Sequence, residues 1–266
     1  MYQDDFKFKK KFGQNFLKTD EIPRRIVDHA KILEDSLVIE IGPGAGILTK
    51  NLASNPNVKQ VLSYEIDTSL EDLLDQNLIG YDNIDIIFDD FLNRNVKEDI
   101  KKYNYSHLYV VANLPYYITT PIIMKIIDED IDVEKVVIMI QKEVAERFSA
   151  KPKSKEYSSI TVFLNYYFDI KKEFLVSRNL FVPKPNVDSM VISLNKKQNK
   201  YDIKNKEVFF KLVRDSFKFK RKNLRNNLKG YDLDKVSKVL EKYHLDLNVR
   251  SEHLPIEIFI DISNNL

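Results

Sequence analysis

Five short apolar runs recur along the first 140 residues: LVIEI (37–41), VLSYEI (61–66), IDIIF (84–88), HLYVVAN (107–113) and EKVVIMI (134–140). Helix-like segments such as ILTKNLAS and TSLEDLLDQN lie between them. Short apolar strands separated by helices read as βα units on a parallel sheet. The pattern therefore predicts a doubly wound α/β domain. SSITVFLNYYF (158–168) predicts a further helix and DSMVISL (188–194) a further strand.

Around residue 195 the texture changes. NKKQNKYDIKNKE has the composition of a linker, and VFFKLVRDSF, LDKVSKVLEKY and IEIFIDIS beyond it predict helices of a smaller module. The expected division is a domain over 1–195 and a small helical domain over 196–266. A chain of 266 residues has ample core for both.

With 43% hydrophobic and 31% charged residues, a soluble globular protein is expected. No apolar run approaches the roughly 20 residues of a membrane span, and MYQDDFKFKKKF lacks a signal-peptide core. The absence of cysteine excludes disulfides, thiol nucleophiles and thiolate metal sites, and fits a cytoplasmic location. The four histidines are scattered, so no metal site is expected. The net charge of +2 is unevenly spread. Residues 64–100 hold eleven acids and two bases, a net −9, whereas 196–229 hold thirteen bases and three acids, a net +10. Such asymmetry points to a polyanionic partner for the basic part, or to a solvated lysine-rich surface.

Three of the six glycines, Gly42, Gly44 and Gly46, fall within EIGPGAG, at the end of the first apolar run and the start of a helix-like one. Glycine there permits a tight turn and close approach of a ligand to the backbone, with helix N–H groups facing it. The spacing is G-x-G-x-G, with Ile47 where a dinucleotide-binding loop would continue, and this favours a ligand without a pyrophosphate. Glu65 ends the next run and could accept hydrogen bonds from both ribose hydroxyls. Asp90 follows the third run and could bond an adenine amino group. A phosphate-free nucleoside held by two carboxylates has the shape of S-adenosylmethionine. The competing interpretation is a glycine turn with helix-capping acids.

The fourth run ends in ANLPYYITTP (112–121), on the same expected sheet edge, where doubly wound folds bind ligands. The exocyclic amine of a base is a poor nucleophile because its lone pair is delocalised into the ring. The Asn113 side-chain oxygen and the Leu114 carbonyl could each accept one of its N–H groups, localising the lone pair towards a methyl sulfonium. Pro115 would fix the turn and Tyr116 would stack on the base. Most of the rate would then come from alignment. A proline turn with core tyrosines is the plainer alternative.

NLPY is similar to the N-x-P-Y signature of amino-methyltransferases acting on adenine or cytosine. More narrowly, the chain resembles the KsgA-type small-subunit ribosomal RNA adenine dimethyltransferases. The likeness runs through KKFGQNFL (10–17), EIGPGAGILT (40–49), NLPYYITTP (113–121), QKEVAERF (141–148), FVPKPNVDSMV (181–191) and FKFKRKNLRNNL (217–228). It implies a Rossmann-like methyltransferase domain that uses S-adenosyl-L-methionine. It further implies that Asn15, Leu17, Gly42, Glu65, Asp90 and Asn113 contact the cofactor or the target adenine, with Gly44 in the same glycine turn. Asn113, Leu114 and Tyr116 would form the base site, which Phe181 would close from the opposite side. The family transfers two methyls to N6 of each of two adjacent adenines near the 3′ end of small-subunit rRNA.

In FKFKRKNLRNNLK (217–229), aromatics interleave with Lys218, Lys220, Arg221, Lys222 and Arg225. These bases would pair with phosphates, while Phe217 and Phe219 are expected in the core. The expected partner is the small ribosomal subunit and its rRNA, and the expected state a monomer. Two other functions compete: an Erm-type methyltransferase acting on large-subunit rRNA, and a ribosome-assembly factor in which binding outweighs catalysis.

Overall fold

The structure is a computed structural model that describes residues 15–115, 118–198 and 201–266. It begins with a two-residue strand, β1 (Phe16–Leu17), and helix α1 (Glu21–Ala30). Four βα units follow: β2 (Ser36–Ile41) with α2 (Ile47–Ala53), β3 (Val58–Tyr64) with α3 (Glu71–Asn77), β4 (Ile84–Ile87) with α4 (Val96–Ile100), and β5 (His107–Asn113) with α5 (Thr119–Asp128). Strand β6 (Lys135–Gln141) runs directly into α6 (Lys142–Phe148), and α7 (Ser159–Tyr167) precedes β7 (Phe168–Val176), β8 (Phe181–Val182) and β9 (Ser189–Lys196). The remainder is helical: α8 (Lys206–Ser216), α9 (Leu224–Asn227), α10 (Leu233–Glu241) and α11 (Ile256–Asn265).

Seven strands form one sheet in the order β4-β3-β2-β5-β6-β9-β7. Strands β2 to β6 are parallel, with Ile39 of β2 opposite Leu62 of β3 and Val110 of β5, and β9 joins β6 antiparallel. Both faces of the central strands are covered, which is why they read as continuous apolar runs rather than alternating ones. All six residues of β2 are buried. Helix α1 buries Ile22, Ile26 and Ala30, spaced one turn apart, in a core shared with Leu48, Leu52, Val38, Val61 and Val111. The parallel strands progress outward in opposite directions from β2 and β5, and this reversal opens a crevice at their carboxyl ends.

The chain divides into two compact units. The first comprises residues 1–145 and 171–195, the second 146–170 and 196–266. Residues 146–170, including α7, group with the C-terminal helices rather than with the sheet. The reason is aromatic packing that no local pattern reveals. Phe163 of α7 meets Phe210 of α8 edge-on at 5.2 Å, Tyr167 stacks on Phe210 at 6.0 Å, and Tyr166 lies 5.7 Å from Phe209. Helices α7 to α10 of this unit start on side-chain caps: Asn205 accepts from the Val208 N–H, Asn223 from Asn226, and Asp232 from Lys235, while Ser158 and Thr161 form a capping box. Among the described residues no helix is long and apolar enough to cross a membrane.

Candidate active site

The site is built where β2, β3, β4 and β5 end. After β2 the chain turns sharply, and the Gly42 N–H donates to the Tyr64 carbonyl at 2.9 Å. Gly44 is required on two counts. Its φ is +59°, and a Cβ there would lie 2.7 Å from the Phe16 ring. Gly46, also left-handed, is the N-cap of α2.

The Gly44 N–H points to Glu65, donating to Oε2 at 3.2 Å, and the Asp67 N–H donates to Oε1 at 2.9 Å. Glu65 is buried, and that burial pushes its carboxyl up, opposed by the N–H groups of Asp67 and Gly44. It caps no helix; that role falls to Asp67, whose carboxylate accepts from the Ser69 N–H. Asp90, by contrast, does cap: its Oδ1 accepts from the Leu92 N–H at 2.9 Å at the start of a short 3₁₀ turn over 91–93. The capping interpretation therefore holds for Asp90 and fails for Glu65.

Asn113 closes β5, and the Leu114 N–H still donates to the Met139 carbonyl of β6 at 3.1 Å. That bond carries the ladder one residue past the strand and anchors the Asn113–Leu114 backbone to the sheet. The Pro115 carbonyl then receives the Ile118 N–H and the Thr119 hydroxyl, each at 3.3 Å, at the entry to α5. Tyr116 lies outside the described residues. From the other side, β1 and β8 pair as a short antiparallel ladder, with Leu17 opposite Phe181 and Phe16 opposite Val182.

These elements enclose one cavity. Asn15, Leu17, Gly42, Gly44 and Glu65 line it, and so do Asp90, Asn113, Leu114 and Phe181. Every described residue expected at the cofactor or the base thus faces the same space. Lys218, Lys220, Arg221, Lys222 and Arg225 belong to the second unit, all exposed. Phe217 packs between Tyr157 and Phe259, at 6.1 and 5.8 Å. Phe219 departs from expectation: it is exposed, because it sits two residues beyond Phe217 at the end of α8, in a turn.

Among the lining residues not singled out from sequence, two stand out. Ile66 is half-exposed at the cavity, directly after Glu65. Glu40 is completely buried in β2, where Ser63 donates to Oε2 at 2.9 Å and Oε1 has no hydrogen-bond partner. Burial raises its carboxyl to about 7, and the neighbouring Glu65 charge adds to the effect. The signal was present, as a lone acid inside an otherwise apolar run. Among the described residues no cluster of His, Cys, Asp or Glu is placed to hold a metal ion.

The profile of the ribosomal RNA adenine dimethylase family matches residues 5–266. The chain belongs to this family. It is accordingly an S-adenosylmethionine-dependent adenine dimethyltransferase of ribosomal RNA, with a Rossmann-like domain. Similar proteins include the ribosomal RNA small subunit methyltransferase A of Bacillus pumilus, 44% identical, with 98% of this chain and 92% of that protein covered. The protein of the same name from Bacillus licheniformis is 43% identical over the same shares. Among solved structures, a dimethyladenosine transferase from Plasmodium falciparum superposes with a TM-score of 0.76 at 27% identity, covering 93% of this chain and 95% of that one. The 23S rRNA methyltransferase ErmE superposes with 0.73 at 26% identity, covering 94% and 99%. The fold is thus shared with a 23S rRNA methyltransferase, so fold alone does not select the substrate.

Proposed function

We propose that this dimethylase transfers two methyls to N6 of each of two adjacent adenines near the 3′ end of small-subunit rRNA, as a cytoplasmic monomer acting during subunit assembly. The relatives at 43–44% identity, named for the small subunit, support that target over the large-subunit one, whose named representative shares 26%. The absence of a membrane-crossing helix among the described residues is compatible with the location.

The observation that carries the assignment of residues is convergence. A glycine turn, an acid, a second acid and an amide stand at four strand ends around one cavity. The cavity fits S-adenosylmethionine. The Gly42–Gly44 turn brings backbone close to the space, and a side chain at Gly44 would drive Phe16 out of its place. Bound there, the cofactor supplies an electrophilic methyl on its sulfonium. Glu65, already oriented by two N–H groups, receives ribose hydroxyls, Asp90 receives the adenine amine, and Asn15 and Leu17 line the cofactor side. The Asn113 oxygen and the Leu114 carbonyl accept the hydrogens of the target N6. Tyr116 stacks on the target base and Phe181 packs opposite. The N6 proton is lost easily once the amine is methylated, so no strong general base is required.

Transfer of radiolabelled methyl from S-adenosylmethionine to purified ribosomal subunits tests the proposal. Four methyls on two neighbouring adenines of the small subunit are expected, formed at least about a hundredfold more slowly with Asn113→Ala. Label on large-subunit rRNA instead would overturn the target, and full activity of Asn113→Ala would overturn the site.

A further inference from the structure

The basic segment of the second unit holds more than charge. Residues 219–222 form a turn closed by the Lys222 N–H on the Phe219 carbonyl at 2.9 Å. Asn227 of α9 braces that turn from within. Its Oδ1 accepts the Phe219 N–H at 3.0 Å, and its Nδ2 reaches the Phe219 and Lys222 carbonyls, each at 3.4 Å. The backbone under Phe219 is thus fixed by side chain and main chain together, yet the residue stays 53% exposed. It is the one phenylalanine among the exposed large hydrophobic residues of the described chain. The Lys218 ammonium lies over the ring, 5.7 Å from its centre.

We propose that Phe219 is a stacking platform for an unpaired nucleobase of the ribosomal RNA. The inference rests on the RNA-binding reading of this unit and adds to it an interaction that charge does not provide. A scattered exposed apolar side chain needs no explanation by itself. Here three circumstances act together. The ring is flat and rigid, with its backbone ordered before any ligand arrives, so little ordering cost remains on binding. It is surrounded in sequence by Lys218, Lys220, Arg221 and Lys222, and Arg225 follows on α9; among the described residues no carboxylate lies within salt-bridge distance of any of the five, though the Asp215 charge reaches Lys218 and the Lys220 ammonium donates to the Lys155 carbonyl at 3.2 Å. By contrast, Lys211 on the preceding helix is paired with Asp215 at 2.8 Å. Finally, a cation-rich rim selects a polyanion, and the ligand that joins phosphates to flat apolar faces is a nucleic acid with bases out of their helix. An apolar peptide would gain nothing from the cations, and a paired RNA helix would offer phosphates but no open base face.

Two measurements test this on the full-length protein. The first is filter binding to small ribosomal subunits at several salt concentrations. Stacking on a base is worth about 1–3 kcal/mol, so Phe219→Ala should weaken binding by about 5- to 150-fold. Its salt dependence should stay that of the wild type, because every cation that meets a phosphate is retained. Phe219→Tyr should bind nearly as wild type, and Phe219→Leu should resemble Phe219→Ala. Wild-type affinity in either Phe219→Ala or Phe219→Leu overturns the platform. The second uses Phe219→Trp, which introduces the sole tryptophan of the chain. Its fluorescence should be quenched by naked small-subunit rRNA and unmoved by an RNA duplex of random sequence; an unmoved signal with saturating rRNA also overturns the platform. Charge reversal at Lys220, Arg221 and Arg225 separates the two levels. If that variant binds subunits as tightly as wild type, the RNA-binding reading of this unit is lost. If it binds weakly while Phe219→Ala is unaffected, only the platform is lost.

Discussion

The Gly44 N–H donates to Glu65 Oε2 across 3.2 Å, joining the turn after β2 to the end of β3. A backbone donor and a side-chain acceptor 21 residues apart thus fix each other at the cavity wall. Glu65→Ala should remove both the ribose acceptor and the brace on the turn. Hydrogen bonds to a charged group contribute about 1.5–3 kcal/mol each, so S-adenosylmethionine affinity in isothermal titration should fall by at least about tenfold. Unchanged affinity would show that the carboxylate serves the turn alone.

Gly44→Ala addresses the same relationship from the other side. The substitution imposes a Cβ at φ +59° and 2.7 Å from the Phe16 ring. The left-handed conformation alone costs about 1–2 kcal/mol, and the displaced ring would open the wall that β1 provides. Thermal unfolding should report a modest loss, and cofactor titration a larger one. Equal losses would mean that Phe16 yields without affecting the cavity.

Asn113→Ala should lower single-turnover transfer by about 10²–10³-fold, equivalent to about 2.7–4 kcal/mol, as for other acceptors and donors that act in the transition state. Cofactor affinity should fall far less. A matching loss in both would place Asn113 at the cofactor and away from the reacting amine.

Glu40 makes stability depend on pH. Its carboxyl is raised from an ordinary 4.5 to about 7 in the folded chain. Between these values the folded state holds a proton that the unfolded state has released, so stability falls as pH rises from 4.5 to about 7 and then levels off. The difference corresponds to about 3 kcal/mol. Glu40→Gln keeps the shape and the donor–acceptor capacity while removing the titration. It should flatten the profile of denaturant stability over this range and be the more stable protein once the pH is above the raised value. A variant with the same slope as wild type would assign the dependence to another group, Glu65 being the first to examine because its carboxyl is raised as well.

Charge reversal at Lys220, Arg221 and Arg225 should flatten the salt dependence of subunit binding by about 0.7 to 0.9 log units per log of salt for each phosphate no longer neutralised. S-adenosylmethionine affinity should be unaffected, since the cavity residues belong to the first unit. An unaltered slope would leave these side chains facing solvent.

The parallel core was legible because burial on both faces writes itself as unbroken apolar runs: the expected 107–113 is β5, and 37–41 lies within β2. Strand β7 was not, since FDIKKEFLV lies at a sheet edge and mixes exposed lysines with buried positions. The two-residue ladder of β1 and β8 is too short to have a period. Gly42, Glu65, Asp90 and Asn113 drew notice because each stands at the end of a strand or within three residues of it, and all four line the cavity. Glu40 was hidden within one, and its neighbours, not its position, make it unusual. Phe219 was misread because F-K-F suggests alternation on an element, whereas Phe217 ends a helix and Phe219 stands in the turn after it.

The grouping of residues 146–170 with 196–266 bears on engineering. The C-terminal quarter is not a cassette that can be cut at 195 and exchanged between related enzymes, because Phe163, Tyr166 and Tyr167 would stay behind without the rings of Phe209 and Phe210 that cover them. A working chimera must transplant two separate stretches of gene, and a chain shortened at 195 would display a sticky aromatic face in place of a clean end.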